Sequence, residues 1–154
     1  MAYSHVPEMA GGVEPLLSNN NKIVSIVDDE LDIIELFHYA ISGSIEGISV
    51  VSFNDPVVAL EHFTDNKQVY ALVISDLRMP GLNGLELLKK VKSINPNVRT
   101  ILMSAYNFEE DELFQRYMKE GIIDSSIQKP VTINALCQRV RDEFQAYQLA
   151  SLLN

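Results

Sequence analysis

The chain has 154 residues, 47% of them hydrophobic, enough for one globular domain with a sizeable core and cramped for two. Lys and Arg number 12 against 21 Asp and Glu, and the net charge of −9 disfavours the clustered cations that direct nucleic-acid binding needs. No apolar run approaches the roughly 18–20 residues of a membrane span and no signal-peptide pattern opens the chain, so no membrane insertion and a cytoplasmic location are expected.

Residues 1–21 contain Pro7, Gly11, Gly12, Pro15 and a Ser-Asn run without apolar periodicity, and read as a flexible tail. From Lys22 the pattern turns regular. KIVSIV reads as a strand and ELDIIELFHYAI as a helix with Ile34, Phe37 and Ile41 on one face; ISVVSF follows as a second strand. Asn54 reads as an N-cap, with Pro56 near the first helical position and Ala59 and Phe63 facing inward. YALVIS is the third strand, and a helix from about Gly84 to Ser93 is ended by Asn95 and Pro96.

VRTILM is the fourth strand. Asn107 with Glu110 resembles a capping box, which predicts a helix from there to Lys119–Gly121 with Leu113, Phe114, Tyr117 and Met118 inward. A short strand at 122–128 leads through Lys129 and Pro130 to a last helix carrying Ile133, Leu136, Val140, Phe144 and Tyr147. Five β/α units with right-handed crossovers predict an α/β fold, a doubly wound five-stranded parallel sheet of flavodoxin-like order 2-1-3-4-5. The domain is bounded at 22–148, after the 1–21 tail and before a short extension at 149–154.

The single cysteine, Cys137, excludes an internal disulfide and falls near the apolar stripe of the last helix, where it reads as a buried structural thiol. His5, His38 and His62 are scattered and lack the pairing of a metal motif, so they read as surface or packing residues.

In such a sheet the reactive edge lies at the carboxyl ends of the strands, where strand order reverses. Strand one ends in Asp28 and Asp29, strand three in Asp76, strand four in Ser104 and strand five in Lys129. Each has an ordinary reading: a helix cap, a turn residue, a loop hydroxyl, a solvated cation. Together, three carboxylates at one switch point repel by about 1 to 4 kcal/mol per close pair and call for a cation. Hard oxygen ligands suit Mg²⁺, commonly completed by a phosphate. A carboxylate with an ordinary pKa near 3.9 needs no general base to act as a nucleophile, so Asp76 is able to attack phosphorus without a histidine partner.

The spacing of these residues resembles the receiver domain of two-component response regulators over about residues 22–147. The resemblance rests on Asp28-Asp29, DLRMPGLNG with Gly84 eight residues after Asp76, MSA at 103–105, and Lys129-Pro130. It implies that Asp76 is the phosphoacceptor and that Asp29 binds Mg²⁺ directly, Asp28 through water and Arg78 through its backbone carbonyl. It further implies that Ser104 and Lys129 contact the phosphoryl oxygens and that the Lys129–Pro130 bond is cis.

Two departures stand out. Ser126 occupies the position, three before the lysine, where the family usually carries an aromatic switch residue. Gly121 lies eight residues before Lys129, one more than usual.

The expected function is a stand-alone regulator, not a turnover enzyme. It accepts a phosphoryl group from a sensor histidine kinase or a phosphotransfer protein and controls a downstream protein through its helix 4–strand 5–helix 5 face. A receiver-like binding module with little phosphorylation-driven change is the alternative. A magnesium-dependent phosphatase would want a second acid where Arg78 stands, and a flavin-binding protein a hydroxyl-rich loop where DDELD stands.

Overall fold

In the computed structural model, residues 2–4 and 21–153 are described. Five strands of the six-stranded sheet, β1 (Lys22–Val27), β2 (Ile48–Phe53), β3 (Tyr70–Asp76), β4 (Arg99–Ser104) and β5 (Ser125–Gln128), are parallel in the order β2-β1-β3-β4-β5. The helices are α1 (Leu31–Ser44), α2 (Pro56–Asp65), α3 (Gly84–Ile94), α4 (Glu112–Lys119) and α5 (Ile133–Leu153). This is the doubly wound fold expected from the alternation of periods.

Strands covered on both faces become continuous apolar runs, and β3 is buried at every position. On one face, Phe37 and Ile41 of α1 and Leu136, Val140 and Phe144 of α5 close a core with Ile26, Ile74 and Ile101. On the other, α2, α3 and α4 contribute Phe63, Leu87, Leu88 and Phe114 against Val27, Val73 and Leu102. Cys137 is buried between α5 and α1, with Sγ 3.6 Å from Ser44 Oγ. His38 is buried with Nδ1 2.7 Å from Ser52 Oγ, and His62 Nδ1 lies 2.6 Å from the Tyr70 hydroxyl. Both are packing residues; His5 lies outside the described residues.

Several local expectations are corrected. The cap of α2 is Asp55, whose carboxylate accepts from the Val57 amide at 2.9 Å, because Pro56 occupies the first helical turn and leaves Asp55 as the last extended residue. α4 starts at Glu112 under an Asp111 cap; the Asn107 side chain instead closes a local turn by accepting from the Glu109 amide at 3.1 Å. The later start turns Leu113 outward and leaves Phe114 and Tyr117 as the buried pair. β5 is shorter than predicted: Ile122 and Ile123 turn back onto the Tyr117 carbonyl before the strand begins. α5 continues to Leu153, so residues 149–153 are its last turns.

Within the predicted tail, Ala2–Ser4 forms a strand antiparallel to β2, with Ala2 opposite Phe53 and Ser4 opposite Val51. Residues 5–20 of the tail lie outside the described residues. No described helix is long and apolar enough to cross a membrane.

Candidate functional site

The carboxyl ends of β1, β3, β4 and β5 converge on a cleft of about 520 Å³ lined by Asp29, Glu30, Asp76, Arg78, Ser104, Tyr106 and Lys129. Asp28 lies beneath it, fully buried. The Lys129 ammonium ties the set together, 2.8 Å from Asp76 Oδ1 and 3.2 Å from Asp28 Oδ2. Its backbone amide donates to the Ser104 carbonyl at 2.8 Å, which fixes the end of β5 to the end of β4. The Lys129–Pro130 bond is cis, as the resemblance implies.

Asp76 is held by its own backbone. Its carbonyl accepts from Ser75 Oγ at 2.8 Å, while the next amide, Leu77 N–H, donates to the Met103 carbonyl at 2.9 Å. The loop then returns at Gly84, whose amide donates to the Leu77 carbonyl at 2.8 Å. A Cβ on Gly84 would stand 2.3 Å from the Asp76 carbonyl oxygen and 2.8 Å from Leu102 Cδ1, so only glycine lets α3 start against the strand end. The start of α3 is fixed by a capping box: Asn83 accepts from the Glu86 amide at 2.9 Å and Glu86 accepts from the Asn83 amide at 3.2 Å. That box is spelled out in the sequence as Asn-x-x-Glu and sits inside the motif that carries the resemblance.

The other side chains are set by turns. Asp28 Oδ1 accepts from the Glu30 amide at 3.0 Å, and the Asp28 amide donates to the Phe53 carbonyl at 3.1 Å. Ser104 is buried, its Oγ accepting from the Tyr106 amide at 2.8 Å. Arg78 and Tyr106 stand exposed on the rim. Ser126 is half-buried in β5, and its carbonyl accepts from the Arg139 guanidinium at 3.1 Å.

Burial pushes the Asp28 carboxyl up to about 6, and the Asp76 charge adds to the rise against the Glu30 amide and the Lys129 ammonium. Burial alone would depress Lys129; the hydrogen bond to Asp76 and the charge of Asp28 outweigh it and hold the ammonium above its ordinary range. One carboxylate oxygen each from Asp28, Asp29 and Glu30 lie within 4.8 Å of one another, a hard-oxygen set that fits Mg²⁺. Glu30 is the member the sequence reading passes over, although it directly follows the Asp pair.

The chain is also similar to known proteins. The family model described as "Response regulator receiver domain" matches residues 24–141. Sporulation initiation phosphotransferase F of Bacillus subtilis (strain 168) is 31% identical over 127 residues, which cover 82% of this chain and 94% of that protein. The DNA-binding transcriptional regulator NtrC of Escherichia coli (strain K12) is 31% identical over 129 residues, 82% of this chain and 26% of that protein. The chain thus spans about a quarter of the length of the transcriptional regulators it matches. Among solved structures, a response regulator receiver domain protein from Clostridium thermocellum superposes with a TM-score of 0.73 at 25% identity, covering 84% of this chain and 98% of that one. With the parallel sheet, the Asp76–Lys129 pair and the acids at the end of β1 in place, the chain belongs to the receiver-domain family of two-component response regulators.

Proposed function

We propose that this chain is a phosphorylation-controlled switch in which Asp76 accepts a phosphoryl group, with Mg²⁺ held by Asp28, Asp29, Asp76 and the Arg78 carbonyl. The observation that carries the reading is the buried Asp76 carboxylate, 2.8 Å from the Lys129 ammonium and facing the cleft that Asp29 and Ser104 also line. Such a carboxylate is already oriented, so transfer asks mainly for positioning and charge stabilisation.

An Asp76 carboxylate oxygen attacks the phosphorus of a phosphohistidine on a sensor histidine kinase or phosphotransfer protein. The O–P bond forms, the P–N bond breaks, and the imidazole nitrogen keeps the electron pair and takes a proton from solvent. The Lys129 ammonium turns from Asp76 to a phosphoryl oxygen, and the Ser104 hydroxyl donates to another. Mg²⁺, when bound, offsets the charge of the acids and of the incoming phosphoryl oxygens. The product is an aspartyl phosphate that regulates rather than a released product. The Bacillus relative's name, a phosphotransferase, supports transfer as the chemistry. The downstream protein partner is expected on the face made by α4, β5 and α5.

The test is mass measurement after incubation with Mg²⁺ and acetyl phosphate. A gain of one phosphoryl that is lost in Asp76→Asn is expected, and no gain in the native chain overturns the reading. A second reading, a receiver that works by binding whether or not it is phosphorylated, draws on Ser126, too small to fill or vacate an aromatic-sized pocket.

A further inference from the structure

The two elements that end the proposed partner face are held very differently from the one that begins it. Arg139 of α5 donates to the Ser126 carbonyl of β5 at 3.1 Å. Arg99, opening β4, pairs with the buried Glu143 of α5 at 2.8 Å and with Asp124, just before β5, at 3.5 Å. Asp124 also takes Lys92 of α3 at 2.8 Å and the Thr100 amide at 2.9 Å. Parting these part-buried pairs strands a charge, so the start of β5 and the middle of α5 are pinned to the sheet.

Among the described residues no ion pair ties α4 to the sheet; Gln115 Nε2 donates to the Phe108 carbonyl at 3.1 Å and Lys89 of α3 lies 5.8 Å over the Tyr117 ring. α4 is eight residues long, buries Phe114 and Tyr117, and exposes Leu113 at 40%. The segment that leads to it starts at the site. Ser104 Oγ accepts from the Tyr106 amide; the Tyr106 ring meets Phe108 edge-on at 5.5 Å; Phe108 stacks on Phe114 at 4.0 Å with 13° between the planes. Three contacts therefore join the site hydroxyl to the first turns of α4.

We propose that the stacked pair Phe108–Phe114 couples Asp76 to α4 in this protein, in place of an aromatic on β5, so that α4 shifts while β5 and α5 stay fixed. The inference rests on the phosphoacceptor reading and says how that site is read out. The Ser104 hydroxyl, turned toward a phosphoryl oxygen, gives up the Tyr106 amide it now accepts. The loop is released, and the Tyr106 ring moves on Phe108. Flat stacked rings lose contact over their whole face when they part, so Phe114 follows Phe108 and carries the helix with it. Phe108 and Phe114 are positioning residues: neither lines the cleft.

The experiment compares amide spectra of the full chain with and without beryllofluoride and Mg²⁺, in the native chain, Phe108→Leu and Phe114→Leu, alongside mass measurement with acetyl phosphate. In the native chain, amides of Tyr106, Phe108 and α4 should shift while Ser126 and Arg139 hold still. Phe108→Leu should keep the phosphoryl mass gain and the shift at Tyr106 but lose the shifts in α4. Phe114→Leu should lose them as well, and stands in if the first variant does not fold. Full α4 shifts in either folded variant overturn the coupling, as do native-chain shifts at Ser126 and Arg139 with α4 unmoved. A phosphoryl gain without α4 movement removes only the coupling; absence of any gain removes the phosphoacceptor reading and the coupling with it.

Discussion

Asp28 offers the sharpest energetic test of the site. Substituting it by Asn removes the titratable group yet keeps an oxygen for the Glu30 amide, which Asp28 Oδ1 now serves at 3.0 Å. The folded carboxyl is pushed from 3.8 up to about 6, mainly by burial. The folded protein therefore binds a proton more tightly than the unfolded chain. That contribution favours folding at pH 4 and is lost as pH rises from 3.8 through 6. At roughly 1.4 kcal/mol per pH unit, the loss is about 3 kcal/mol. Asp28→Asn does not titrate, so its stability relative to the native chain should rise by about 2.5 kcal/mol between pH 4, where part of the loss has already occurred, and pH 7.5. Urea unfolding in EDTA at intervals across this range measures it, and taking the difference between the two proteins cancels the other titrating groups. Adding Mg²⁺ at pH 7.5 should narrow the gap by stabilising the native chain more than the variant. A difference that stays level with pH would show that burial does not raise the Asp28 carboxyl in the folded protein.

Asp29→Ala should abolish Mg²⁺ binding and phosphorylation, and Asp28→Ala should weaken binding less; a metal titration with unchanged affinity in the Asp29 variant removes its assignment as a ligand. Gly84→Ala should destabilise the fold by about 1–3 kcal/mol, the range for a methyl forced into packed surroundings, because its Cβ meets the Asp76 carbonyl at 2.3 Å; an unchanged denaturation midpoint would refute that. Arg78→Ala and Tyr106→Ala, which open the rim of the cleft, should speed loss of the phosphoryl group by admitting water. Equal decay rates by mass measurement in native and variant chains would rule out shielding.

The five β/α units are legible because the first four strands are short, largely apolar runs and each helix repeats its apolar residues at helical spacing. The site is legible for a related reason: a polar residue ending a buried strand is conspicuous, and topology carries Asp28, Asp76, Ser104 and Lys129 to one edge. What the sequence hides is choice among neighbours of similar chemistry. Asn54 and Asp55 are both good caps, and only the position of Pro56 decides between them. Asn107 and Asp111 are both turn-formers, and the first serves a local turn while the second starts the helix. The ties of Asp124 to Lys92 and Arg99, and of Arg99 to Glu143, link residues far apart in the chain, and no local pattern announces them.

The strand at Ala2–Ser4 has a consequence for how the protein keeps to itself. It lies along β2, whose sequence ISVVSF is uncharged, free of proline and rich in β-branched residues, the composition of segments that template cross-β stacking. A parallel sheet of this order would otherwise present the outer side of that segment as a row of open amides and carbonyls. The opposite border, β5, is four residues long and mostly polar, a poor seed. The strand at Ala2–Ser4 thus acts as a gatekeeper: removing it would bare the more adhesive border of the sheet while touching none of the residues that line the cleft.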